Sequence, residues 1–180
     1  INVVANPTAN FTATSLTGCI GNNAITFNNL SLNATSYIWD FGDGTFSTQA
    51  NPTHSYTGTG VYTVKLIARN SFNCSSIHIQ PSYITIVPNP SAAFTVNQQS
   101  SCDINQVFNF TCTTAGSIGW QWNFGDGNTS SLQNPTHVYG ASGTYDVTLI
   151  VSNPGGCSDT LLQSSYISIG ASLVPFFTVN

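Results

Sequence analysis

The chain has 180 residues, 41% of them hydrophobic and only 4% charged, with a formal net charge of −4 at pH 7. Its only cations are Lys65 and Arg69, and polarity comes from Asn, Ser, Thr and Gln. That composition supports a packed core. It excludes the clustered Lys and Arg that nucleic acid or an anionic membrane surface demands, and no run of 18 apolar residues encodes a membrane-inserted helix.

In chain order, Ile1-Asn2-Val3-Val4 has the look of a terminal strand, and Asn6-Pro7 marks a boundary. Ile25-Thr26-Phe27 alternates apolar and polar residues and predicts a strand. Trp39 sits on a predicted central strand that ends in Asp40-Phe41-Gly42-Asp43-Gly44, where Asp43-Gly44 is a turn dipeptide. Asn51-Pro52-Thr53-His54 and Tyr56 follow, then Gly60 and a strand in which Tyr62, Val64, Leu66 and Ala68 share one face. Tyr83–Val87 closes the unit. No segment shows helical periodicity over ten or more residues.

The next unit repeats the first. Trp122-Asn123-Phe124-Gly125-Asp126-Gly127 stands 83 residues after Trp39-Asp40-Phe41-Gly42-Asp43-Gly44. His137, Tyr139, Tyr145, Cys102 and Cys157 keep the same offset from His54, Tyr56, Tyr62, Cys19 and Cys74, with no insertion between them. Phe177-Thr178-Val179-Asn180 matches Phe94-Thr95-Val96-Asn97 in turn. The expected organisation is therefore a last strand over 1–5, complete repeats over 6–88 and 89–172, and a first strand over 173–180. Short proline-bearing linkers predict a semi-rigid array. About seven short strands per repeat, with a Trp on a central one, predict an all-β, immunoglobulin-like sandwich.

Trp-Asp-Phe-Gly-Asp-Gly, then Asn-Pro-Thr-His-x-Tyr, then Gly-x-Tyr-x-Val-x-Leu resembles the signature of PKD domains. The resemblance implies tandem seven-stranded sandwiches and an extracellular, secreted or cell-surface setting. It makes Trp39, Gly42, Asp43, Gly44, His54, Tyr56 and Tyr62, with Trp122, Gly125, Asp126, Gly127, His137, Tyr139 and Tyr145, a structural motif. Asn123 departs from the family pattern where Asp40 keeps it. The low charge and the wealth of Asn, Ser and Thr also resemble giant surface proteins of gliding or biofilm-forming Bacteroidota.

The simplest pairing of the equivalent cysteines is within a repeat, Cys19 to Cys74 and Cys102 to Cys157, although four cysteines allow three pairings. Each bridge would close a loop of about 55 residues and contribute roughly 4 kcal/mol. Cys112 has no counterpart, because Asn29 holds the matching position.

No catalytic residue and no cofactor are expected. Calcium is the ion the residues could hold, with Asp40, Asp43 and Asp126 as candidate ligands, against the reading that these carboxylates cap turns. His54 and His137 lack a nucleophile and read as packing residues, and unmatched His78 is expected at the surface. Among the aromatics Tyr37, Phe46, Phe72 and Trp120 (Tyr37 and Trp120 are equivalent positions, whereas Phe46 and Phe72 match Thr129 and Gly155), Trp120 is the possible ligand contact, weighed against a place in the core beside Trp122.

The sequence thus points to a non-catalytic structural segment of a large extracellular adhesin or fibre. Its partners would be neighbouring repeats, copies of itself in a filament, or surface glycans and proteins. The alternative is a carbohydrate- or protein-binding accessory module of a secreted hydrolase or adhesin.

Overall fold

The computed structural model describes residues 5–170 in two compact units, divided between Pro88 and Asn89. The flanking strands expected over 1–5 and 173–180 lie outside the described residues, apart from Ala5.

In the first unit β1 (Phe11–Ala13), β3 (Ile25–Asn29) and β6 (Thr53–His54) form a three-stranded antiparallel sheet in the order β1-β3-β6. β2 (Thr17–Cys19), β4 (Ser36–Asp40), β5 (Phe46–Ser47), β7 (Gly60–Arg69) and β8 (Ser75–Val87) form the other, ordered β2-β8-β7-β4-β5. The seven-strand plan holds, with its first strand divided. β1 pairs with β3 in one sheet, and after a turn in which Ser15 Oγ donates to the Thr17 carbonyl, β2 runs parallel to β8 in the other. One strand thereby bridges both sheets, which the short apolar segments around it do not announce.

The second unit repeats this plan. β9 (Phe94–Val96), β11 (Phe108–Cys112) and β14 (Thr136–His137) build the small sheet. β10 (Ser100–Ser101), β16 (Ser158–Ile169), β15 (Gly143–Ser152), β12 (Gly119–Asn123) and β13 (Thr129–Ser130) build the large one in that order.

The alternation read from the sequence is the alternation of burial. Val64, Leu66 and Ala68 are buried on β7 while Lys65, Ile67 and Arg69 face outward, and β15 does the same with Val147, Leu149 and Val151. Phe11, Phe27, Phe41, Leu66 and Ile84 enclose Trp39, and the second core is built likewise around Trp122. Both indoles are fully buried, and a buried N–H needs an acceptor. Trp39 Nε1 donates to the Gln49 carbonyl and Trp122 Nε1 to the Leu132 carbonyl, each at 2.9 Å.

The long hairpins carry a shared irregularity. Register shifts between Tyr62 and Val64 and between Tyr145 and Val147, opposite left-handed Ser82 and Ser165. Such bulges bend a strand and increase its twist.

Candidate functional site

The turn after the tryptophan strand gathers the repeated motif. Asp40 Oδ1 accepts the Gly42 amide at 3.1 Å, and Asn123 Oδ1 accepts the Gly125 amide at 2.9 Å. What both repeats keep is this side-chain turn, which Asp and Asn form equally well. The Asp40 charge has a separate use: its Oδ2 lies 2.9 Å from Lys65 Nζ. In the second repeat Asn123 and Thr148 occupy both positions, so the ion pair is replaced as a unit.

Asp43 Oδ1 accepts the Thr45 amide at 3.0 Å and the Thr45 hydroxyl at 2.6 Å, and its Oδ2 accepts His54 Nε2–H at 2.7 Å. Asp126 accepts the Asn128 amide at 3.0 Å and His137 at 2.8 Å. Each imidazole stacks on a phenylalanine, Phe41 or Phe124, with ring centroids 4.2 Å apart, and meets the edge of Tyr56 or Tyr139. Those tyrosines donate to the Phe41 and Phe124 carbonyls at 3.1 Å. Burial, with the Asp43 charge and Tyr62 nearby, pushes the Tyr56 hydroxyl up, and Tyr139 is raised in the same way, so both remain donors. Each histidine is thus a structural clamp between turn and core. The Asp–His pairing escaped the sequence reading, although its signal was present: both residues recur, 11 positions apart, in each repeat.

This donor set does not fit calcium. The oxygens of Asp43 and Asp126 are engaged by neighbouring amides and histidine, and Asp40 turns to Lys65. Among the described residues, no three His, Cys, Asp or Glu side chains gather as a metal site, whereas calcium takes six to eight oxygens.

The clamp makes acid stability predictable. Burial alone would raise the Asp43 carboxyl, but hydrogen bonds from Thr45 and His54 hold it below its ordinary 3.8. Asp126 is lowered against the same burial by Asn128 and His137. A carboxyl lowered on folding contributes stability above its unfolded value and loses it as pH falls through the folded one. The urea midpoint should therefore drop on acidification below about pH 4. Asp43→Asn with Asp126→Asn should lower it at neutral pH and flatten the acid limb, and an equally steep limb in that variant would refute the assignment.

The expected intramodule disulfides do not form. Cys74 and Cys102 are free and exposed, whereas Cys19 and Cys157 are disulfide-bonded. Cys19 pairs with Val87 at the end of β8, while Cys74 immediately precedes the start of that strand. A strand of this length separates them by roughly 35–40 Å, and a disulfide needs Cα atoms within about 7 Å. Cys102 and Cys157 are parted by β16 in the same way. Unmatched Cys112 is buried in the second core with a free thiol.

The non-core aromatics and the unmatched histidine divide between core and surface. Trp120 is half-buried against the second core with its Nε1 on Ser117 Oγ, and Tyr37 packs on the first. His78, expected at the surface, is half-buried with its ring 5.3 Å from Phe11. Among the described residues, Phe46 and Phe72 are the exposed phenylalanine rings.

Each large sheet leaves its outer face open. In the first unit Ile38, Ile67, Ile77, Ile79 and Phe46 surround the Asp40–Lys65 pair. In the second, the same part of the face is a groove of about 290 Å³ lined by Gln121, Asn123, Thr129, Thr148 and Ile150. Uncharged donors and acceptors over an apolar floor suit a neutral polar ligand.

Comparison with known proteins places this geometry. The family described as PKD domain matches residues 4–86 and again 87–169. Collagenase ColA of Bacillus cereus is 37% identical over 72 residues, covering 40% of this chain and 7% of that protein. A microbial collagenase of Vibrio alginolyticus is 35% identical over 47% of the chain and 11% of its own length. Pre-pro-metalloprotease PrtV of Vibrio cholerae is 29% identical over 72% of the chain and 14% of its own length. The chain thus spans about a seventh or less of these relatives. The crystal structure of the PKD1 domain of that metalloprotease matches 46% of the chain and 99% of its own, at 29% identity and a TM-score of 0.39.

Proposed function

The chain belongs to the PKD domain family in both its repeats, and from that premise we propose that it is a non-catalytic accessory segment of an extracellular protein, holding an uncharged polymer against the outer faces of its large sheets. The carrying observation is the surface just described: an apolar field around Phe46 in one repeat, and an amide- and hydroxyl-lined groove at the equivalent place in the other. A face with one ion pair has little to offer an anionic polymer, but can stack on and hydrogen-bond a neutral protein fibre or polysaccharide.

The matched relatives bear the names of collagenases and a metalloprotease. They favour an accessory role beside a hydrolase over the reading as a filament component, which rests on the insertion-free repeat, the short linkers and the low charge, and over the gliding-surface reading, which rests on composition. The disulfide-bonded Cys19 and Cys157 support an oxidising, extracellular compartment. No described helix is long and apolar enough to cross a membrane. The insertion-free 83-residue repeat favours a second reading as a spacer, since repetition sets a constant step between functional parts.

Co-sedimentation with insoluble collagen fibrils and with cellulose separates the two. The wild-type chain should pellet with at least one of them. Phe46→Ser combined with Ile79→Ser, and separately Thr148→Arg in the groove, should each weaken binding about tenfold, as losing a central contact of about 1.4 kcal/mol does. Failure of the wild type to pellet with either polymer would overturn polymer binding and leave the spacer.

A further inference from the structure

The open face of the second repeat is ordered by strand register. Thr129 on β13 stands opposite Asn123 on β12, Asn123 opposite Thr148 on β15, and Thr148 opposite Leu162 on β16. Residues directly opposite one another share a face. A hydroxyl, a carboxamide, a second hydroxyl and an exposed leucine therefore form one row across these strands. Its step is the spacing between strands, about 4.8 Å. Gln121 and Ile150 stand opposite each other in the next row, and with Thr129, Asn123 and Thr148 they line the groove of about 290 Å³.

The hydrogen-bonding capacity of this row is mostly unused. Asn123 Oδ1 accepts the Gly125 amide, which fixes the carboxamide and leaves its Nδ2–H groups to donate. The side chains of Gln121, Thr129 and Thr148 have no hydrogen-bond partner among the described residues. In the first repeat the same row reads Phe46, Asp40, Lys65 and Ile79, and its two charged members satisfy each other at 2.9 Å.

We propose that the groove of the second repeat, resting on the polymer-holding role given above, takes a neutral β-1,4-linked hexose chain that runs across the strands with one sugar ring to each strand step. A pyranose ring carries hydroxyls that both donate and accept around its rim, and an apolar C–H face. Hydroxyl and carboxamide side chains match the rim, while Leu162 and Ile150 meet the C–H face. A charged side chain would have no counterpart on such a chain, and the groove has none. The step itself disfavours a peptide. An extended peptide turns the same side to a surface every second residue, about 6.6–6.8 Å, and a polyproline-type fibre every third, about 9 Å. Neither meets Thr129, Asn123 and Thr148 one after another, whereas an extended β-1,4-linked chain advances by close to one strand spacing per ring.

The test titrates the whole chain with cellohexaose, with mannohexaose and with a collagen-like triple-helical peptide, and follows backbone amide shifts by NMR. At least one hexaose should shift the amides of Gln121, Asn123, Thr129 and Thr148, and which of them does so separates a glucan from a mannan. Asn123→Asp with Thr148→Lys installs the first repeat's ion pair on the same fold, and should weaken hexaose binding about tenfold with the melting temperature kept. Thr148→Val removes one hydroxyl and keeps the shape, and should weaken it about fivefold. No shift with either hexaose, shifts that lie outside the groove, or undiminished binding by both variants would overturn the proposal. Binding of the collagen-like peptide without either hexaose would overturn it while leaving polymer holding in place, and failure of every ligand together with failure to pellet would remove both.

Discussion

Replacing Trp122 with alanine should destabilise the second repeat by about 3–5 kcal/mol, in the range for truncating a buried aromatic. The indole is fully buried between the two sheets of that unit. Phe94, Phe110 and Phe124 pack around it at centroid distances of 5.1, 5.6 and 6.3 Å. These rings belong to β9, β11 and the turn after β12, so they cannot close on the void without shifting strands of both sheets. The Leu132 carbonyl also loses its donor, adding about 1 kcal/mol. Small domains have about 5–15 kcal/mol in all, so most of the second repeat's margin should disappear. Trp122→Phe keeps most of the volume and should cost clearly less. Urea unfolding followed by circular dichroism reads both variants. An alanine effect below about 1 kcal/mol would mean that Trp122 does not organise that core.

Gly125→Ala should rank second, at about 2–4 kcal/mol, from two causes acting together. Gly125 has φ of +82°, where a side chain is strained. An added Cβ would also run into the Asp146 carbonyl oxygen, because the turn lies directly against the bulged part of β15. Gly127 separates the causes. Its φ is +92°, but a Cβ there meets nothing within 4 Å. Gly127→Ala should therefore show strain alone, about 1–2 kcal/mol. At a few degrees of melting temperature per kcal/mol for a domain of this size, the difference is measurable by calorimetry. Equal losses for the two variants would show that close packing of the turn on the strand contributes nothing.

Both effects fall on residues visible in the sequence, because local rules govern them. A strand that alternates apolar and polar residues must present one set inward, and β7 and β15 do so along their buried positions. Trp39 and Trp122 were legible as core residues because a sandwich offers a large apolar ring few other places. The outer face was less legible. Trp120 drew attention as an aromatic, yet its ring leans on the core, and the groove is built from Gln121, Asn123, Thr129 and Thr148, which resemble ordinary surface. Asp43 and Asp126 were read as turn residues, but the histidine that engages each arrives from a strand of the other sheet.

By itself, then, the sequence determined the repeat, the all-β class, the aromatic centre of each core and the turn that follows it. Backbone geometry fixes strand and turn preferences within a few residues, and an unbroken offset of 83 copies them from one unit to the next. Only the tertiary structure decided which cysteines can meet. Equivalent spacing made Cys19 and Cys74 look like partners, but spacing along a chain carries no information about which end of a sheet each residue occupies. Strand length and the parallel docking of β2 on β8 set that, and they put the two cysteines at opposite poles of one sandwich.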